Sequence, residues 1–382
     1  MRIPFIDLRA INARHQSEFE LAFRRIAQSG RYILGRETEQ FEQSFSAWNG
    51  SRHCISVANG LDALRLVLRA YISLGRIAPG DEAIVPANSF IASALAVTDA
   101  GLRVRFADVA AGTFNLGVQT LARAVTPRTR VVVPVHLYGQ LAQIEEIQSF
   151  CAERNMLVVE DAAQAHGARN DLRSAGSFGN AGGFSFYPSK NLGGLGDAGC
   201  VVTDDAELRD RVRALRNYGG LGKYEHEYIG TNSRMSEMNA AVLTIKLAHL
   251  DSDNRRRREI ARAYRSGIVN PGITLPSEPV NPDRHVWHLF VVRTIDRTSL
   301  SAHLESRNVE TLIHYPRSIH EQPPYAGEAD IAGLPEASQV QHEVLSLPMS
   351  PVMTDIDVQY VIDAVNAWSG PSDTSYIHQA KA

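Results

Sequence analysis

From about residue 55 to residue 160 the chain repeats one pattern: a short apolar run, a turn, then a longer stretch whose apolar positions recur every three or four residues. Short runs of strand type stand at 55–57, 83–85, 104–106, 131–133 and 157–159. Runs this brief, with little polar interruption, predict strands buried on both faces. After the first of them, Leu64, Val67, Leu68, Tyr71 and Ile72 keep helical spacing, and 91–100, 117–125 and 141–153 are long enough for helices. Such alternation predicts an α/β protein, a mainly parallel sheet with helices on both faces.

The second half reads differently. Two more strands, at 182–186 and 200–203, flank a glycine-rich loop, and helical patterns follow at 206–216 and 235–268. The latter is long enough to bridge two domains. A strand over 285–293 with helices near 298–307 and 355–368 outlines a smaller C-terminal unit, interrupted by Pro/Gly-rich loops at 270–283 and 321–335. The pattern therefore predicts a large domain over 1–250 and a small one over 251–369. The polar tail 370–382 is expected to be disordered.

Composition narrows the partners. A chain of 382 residues with 44% hydrophobic content can bury a sizeable core, and a net charge of −3 favours neither nucleic acid nor an anionic membrane. The run Arg255-Arg256-Arg257-Arg258 points in all directions on a helix, which reads as a solvated or ion-paired face. Cys54, Cys151 and Cys200 lack metal-ligand spacing, so no metal site is expected and free thiols are. No signal peptide and no membrane-length apolar stretch are visible, so a cytoplasmic protein is expected.

The candidate chemistry centres on Lys190, in Phe184-Ser185-Phe186-Tyr187-Pro188-Ser189-Lys190-Asn191-Leu192-Gly193-Gly194, with Asp161 closing an apolar run upstream. A lysine ε-amine can condense with the aldehyde of pyridoxal phosphate, and a carboxylate can keep the cofactor's ring nitrogen protonated. Of Glu160 and Asp161, strand alternation turns only one toward a site. Upstream, Asn59-Gly60-Leu61-Asp62-Ala63 forms a turn into a helix N-terminus, which suits a phosphate but also suits a plain strand–turn–helix link. Because like charges repel, the Asp62 side chain should turn away to cap the helix while its backbone N–H binds. Phe90 reads as core on pattern alone, and Ser185 equally as a buried strand serine.

Further segments carry a resemblance: Ile3-Pro4-Phe5-Ile6-Asp7-Leu8, Asp161-Ala162-Ala163-Gln164-Ala165-His166-Gly167-Ala168, Asn232-Ser233-Arg234-Met235, His314-Tyr315-Pro316 and Ser346-Leu347-Pro348-Met349. With the lysine loop, these resemble the sugar aminotransferases of the DegT/DnrJ/EryC1/StrS group. The resemblance implies the fold-type I aminotransferase architecture: a seven-stranded, mainly parallel sheet sandwiched by helices, plus a smaller C-terminal α/β domain. It implies Lys190 as the residue carrying pyridoxal 5′-phosphate and Asp161 as partner of the ring nitrogen. Gln164 would bond the ring oxygen, Phe90 would stack on the ring, and Gly60, Leu61, Asp62 and Ser185 would hold the phosphate. Many members carry a hydroxyl residue where Leu61 stands, so there only the backbone contact carries over. Asn232 would reach the phosphate of a neighbouring subunit, implying a homodimer with shared sites. His166, Tyr187, His314, Tyr315 and His320 would approach the sugar, while Arg234 receives no role.

The activity implied is transamination of a nucleotide-linked keto-sugar with L-glutamate as donor, at C3 of a dTDP-linked 3-keto-6-deoxyhexose. Members acting at C4 more often lack a histidine at the position of His166. Relatives that dehydrate deoxysugars carry His in place of the lysine, so Lys190 argues against that activity. Amination of a 4-keto sugar or a cyclitol ketone, and a non-catalytic regulator that binds the cofactor, remain alternatives.

Overall fold

The computed structural model describes residues 1–222, 224–327 and 333–370. The expected sheet is present and has seven strands: β1 (His53–Val57), β2 (Glu82–Pro86), β3 (Arg103–Ala107), β4 (Thr129–Val132), β5 (Leu157–Asp161), β6 (Ala181–Ser185) and β7 (Gly199–Thr203). Their order is β1-β7-β6-β5-β4-β2-β3. Only β7 runs against its neighbours, pairing antiparallel with β1 and β6, while β3, β2, β4, β5 and β6 pair in parallel. The carboxyl ends of six strands therefore open on one edge, where ligands bind in sheets of this kind.

Both faces are covered. Phe41, Phe45, Ile147, Phe184, Phe186 and Leu243 pack on one, and Leu64, Val67, Tyr71, Val97 and Leu208 on the other. A separate core of Ile260, Tyr264, Phe290, Val292, Leu300, Leu345 and Val361 holds the C-terminal part, built on an antiparallel ribbon of Phe290–Arg293 and Val344–Leu347. Ile3 joins this second core and bridges Val309. The first residues thus pack with the C-terminal unit, although sequence order had grouped them with the large domain.

Two local readings change. The helical stretch expected over 235–268 is two helices, Glu237–Leu247 and Leu250–Gly267, broken where the His249 ring packs 4.7 Å from that of His15. The strand expected over 285–293 is regular only from Phe290. Before it, Val286 and Leu289 N–H groups donate to the carbonyls of Gly139 and Tyr138. Those bonds tie the C-terminal unit to the turn Leu137–Gly139 that follows β4 and carry His285–Leu289 toward the open edge. The tail beyond Gly370 lies outside the described residues.

Candidate active site

β5 and β6 are parallel neighbours, with Asp161 paired to Gly183, so Asp161 and the loop leaving Ser185 emerge on the same edge. Alternation along β5 sends the two acids to different places. Glu160 is buried and accepts from Gly176 N–H at 2.8 Å and Gly179 N–H at 2.6 Å, with His136 Nε2 at 2.7 Å. It is a structural acid. Asp161, 7% exposed, accepts from Ser93 Oγ at 2.6 Å and Ala163 N–H at 3.1 Å, which fixes the plane of its carboxylate.

Lys190 hangs from a turn in which its N–H donates to the Tyr187 carbonyl at 2.8 Å. Desolvation lowers its ammonium pKa to about 8, against the opposing pull of the Asp161 charge. Three imidazoles feel the Lys190 charge: burial first, then that charge, lower His166 to about 3 and His314 to about 4, and push His288 well down. All three are neutral near pH 7. The fully buried His166 ring sits against Phe184 and Phe186.

Gln164 has only one amide orientation open to it. Its Oε1 accepts the Tyr138 N–H at 2.7 Å, so Nε2 faces the site and donates to the Tyr315 hydroxyl at 3.0 Å. Tyr315 lies 5.4 Å, ring to ring, from the half-exposed Phe90, and His314 Nδ1 is 2.9 Å from Ser346 Oγ. Tyr187 is exposed at the rim.

On the far side, β1 leads through Asn59 into the helix Gly60–Ser73. A Cβ on Gly60 would stand 2.6 Å from that of Ser185, so the turn and the end of β6 can approach only because this residue is glycine. The expectation for Asp62 is corrected. Asn59, not Asp62, caps the helix, and its Oδ1 takes the Asp62 N–H at 2.8 Å. The Asp62 carboxylate pairs with Arg65 at 2.6 Å. The free donors of the turn are therefore the Gly60 and Leu61 N–H groups, which a helix of this kind leaves without an internal carbonyl.

Two other residues sit differently from the rest. His320 faces Ser338 Oγ at 3.3 Å and Glu321 at 3.6 Å, beside the Phe106 ring, so its contacts belong to another cluster than Lys190. Asn232 is exposed, next to Ser233, whose hydroxyl accepts the Ala58 N–H at 3.1 Å. Ser93, Tyr138, Asn191 and His288 were not singled out from sequence. Only Asn191, adjacent to Lys190, offered any cue.

The pocket fits pyridoxal phosphate: a donor turn closed against Ser185 for the phosphate, an amide nitrogen with a spare hydrogen at Gln164, and an anchored carboxylate. The family model for the DegT/DnrJ/EryC1/StrS aminotransferase family matches residues 13–366. The dTDP-3-amino-3,6-dideoxy-alpha-D-galactopyranose transaminase of Aneurinibacillus thermoaerophilus is 48% identical over 367 residues, covering 96% of this chain and 99% of the relative. The dTDP-3-amino-3,4,6-trideoxy-alpha-D-glucose transaminase of Streptomyces venezuelae is 47% identical over 370 residues, 96% of each chain. The solved structure of S. venezuelae DesV in complex with a ketimine intermediate has a TM-score of 0.92 at 47% identity, covering 97% of this chain and 100% of that one. Similarity of this extent places the chain in the DegT/DnrJ/EryC1/StrS aminotransferase family, as an aminotransferase whose cofactor is pyridoxal 5′-phosphate.

Proposed function

We propose that the protein transfers the amino group of L-glutamate to C3 of a dTDP-linked 3-keto-6-deoxyhexose. The observation that carries this is the pocket of Lys190, Asp161 and Gln164, rimmed by Tyr187, His314 and Tyr315, in a chain whose two relatives named above are both 3-amino-sugar transaminases.

Pyridoxal phosphate, when bound, supplies a conjugated ring that accepts the electron pair left when the donor's α-proton departs. Lys190 would hold the cofactor covalently, and its free amine would take the donor's α-proton and return it. Its lowered pKa leaves a useful fraction as free amine near neutrality. Asp161 would hold the proton on the ring nitrogen, its carboxylate kept aimed by the Ser93 hydroxyl. Gln164 would donate its second Nε2 hydrogen to the ring oxygen, while Gly60, Leu61 and Ser185 would hold the phosphate. Asn232, turned outward on its segment, completes the phosphate site of a second copy. Exposed Ile33, which bridges Ser236, exposed Leu195, whose N–H donates to Asn239, and exposed Met238 form an apolar face at the start of the helix Glu237–Leu247, suited to that copy.

A panel of nucleotide-linked 3-keto and 4-keto sugars with glutamate tests the reading, the new amine being located by NMR. Selectivity for C3 requires only about 2–3 kcal/mol of differential transition-state binding, within reach of a few side chains at the rim. Efficient amination at C4, with the 3-keto isomer untouched, would sink the proposal.

A further inference from the structure

We propose that His15, Glu18 and His249 form a binding site for a divalent cation of the zinc type, apart from the cofactor pocket and structural in role.

The packing of two helices brings the three residues together. The helix Gln16–Ser29 lies against Glu237–Leu247 through Ala22 and Ile26 on Ala241. Beyond the end of the first helix Ile33 bridges Ser236, just ahead of the second. At the other end the rings of His15 and His249 lie 4.7 Å apart. The helices are therefore antiparallel, and the start of one faces the end of the other. His15 stands immediately before the first turn and Glu18 three positions on, a spacing that puts both side chains on one side of that turn. His15 Nδ1 is 3.5 Å from Glu18 Oε2, and one donor atom from each of the three residues lies within 4.8 Å of the other two.

These separations suit a metal better than they suit one another. Tetrahedral zinc with bonds of about 2.0–2.1 Å holds its donor atoms about 3.3 Å apart. The His15–Glu18 contact is near that spacing already, and is long for a hydrogen bond. His15 is buried at 4% exposure and sets the position, while Glu18 and His249 are exposed and free to close the remaining gap. Their exposure also leaves room for water as a fourth ligand. Two neutral imidazoles and one carboxylate carry a net charge that welcomes a dication. The neighbouring Arg14 is paired with Asp253 at 2.8 and 2.7 Å, so its charge is largely spent. Nitrogen donors favour zinc and its neighbours over magnesium or calcium, which take oxygen sets. The cysteines do not compete, being buried in the core of the large sheet.

The place of the site explains what an ion would do there. His249 marks the break between Glu237–Leu247 and Leu250–Gly267. Just before it, Lys246 Nζ donates to Asn12 Oδ1 at 3.1 Å and to the Gly193 carbonyl of the lysine loop at 2.5 Å. A metal would fasten the N-terminal helices to the same helix end that steadies that loop.

The test is calorimetric titration of the tag-free holoenzyme with zinc chloride, alongside thermal melts. One zinc per chain should bind, and saturation should raise Tm by about 2–5 °C. His249→Ala and Glu18→Gln alter exposed side chains, so the metal-free fold should survive both. Each should weaken zinc binding by more than about tenfold and abolish the rise in Tm. Cobalt(II) supplies a second readout: visible d–d bands without thiolate charge transfer, lost in His249→Ala. No uptake at millimolar zinc, wild-type binding in both variants, or a thiolate band in the cobalt spectrum would overturn the site.

Discussion

Lys190 and Asp161 were legible as candidates because their chemistry is unusual for their setting: an amine in a glycine-rich loop, and a carboxylate ending an apolar strand. The environment that makes them usable was not. Desolvation of Lys190 and the hydroxyl of Ser93 on Asp161 come from elements far apart in the chain. Asp161→Ala should retain part of the cofactor, through the phosphate turn and Lys190, yet lose about a thousandfold or more in turnover, because nothing then holds the ring-nitrogen proton. In the cofactor-free protein the same change removes the charge that favours the ammonium. The apparent pKa of Lys190 should therefore drop below about 8, as read by pH-dependent acetylation.

Among elements, the strands were readable from their apolar runs, and the helix Gly60–Ser73 from its spacing. Its cap was misread, since Asn and Asp are both good caps and only geometry says which side chain turns back. The helix Arg36–Asn49 shows the limit more clearly. Its N-cap is Gly35, which has no side chain to offer, and the capping carboxylate is that of Glu237, 2% exposed. Glu237 accepts from the N–H groups of Gly35 at 2.9 Å, Glu37 at 2.8 Å and Thr38 at 3.1 Å. No local pattern could announce a cap supplied from 200 residues away. Glu237→Ala strands several buried donors and should destabilise the fold by about 2–3 kcal/mol in denaturant melts, where an ordinary surface Glu→Ala would be near neutral.

At the scale of the molecule, the helix Ile144–Ala152 of the large domain is joined to the segment entering the C-terminal unit by the bidentate pair Arg284–Glu145, at 2.6 and 2.9 Å. The Arg284 hydrogen bonds hold the Glu145 pKa down at about 2 against its ordinary 4.5. A depressed carboxylate contributes stability above its unfolded pKa and loses it as pH falls through the folded one. Glu145→Gln should therefore cost about 1 kcal/mol or less near neutrality, the pair being partly solvated, and the wild-type advantage in Tm should vanish between pH 4.5 and 2. If two copies share the sites, activity should follow dimer content on dilution, and Asn232→Ala should weaken cofactor retention in equilibrium dialysis. A fully active monomer would refute that assembly. No described helix is long and apolar enough to cross a membrane.

What the sequence determined by itself was periodicity and chemical type: which segments alternate between strand and helix, where a lysine, a carboxylate and a glycine turn lie relative to strand ends, and so the class of fold and the candidates for the reactive groups. These are local properties, carried by spacing and side-chain chemistry. The tertiary structure decided everything that depends on which groups meet. It separated Glu160 from Asp161, took the Asp62 N–H for Asn59, turned His320 toward Ser338, and brought His288 from the C-terminal unit to the lysine loop. Burial and hydrogen-bond direction, which set protonation and tautomer, are made by contacts between distant residues and exist only once the chain has closed on itself.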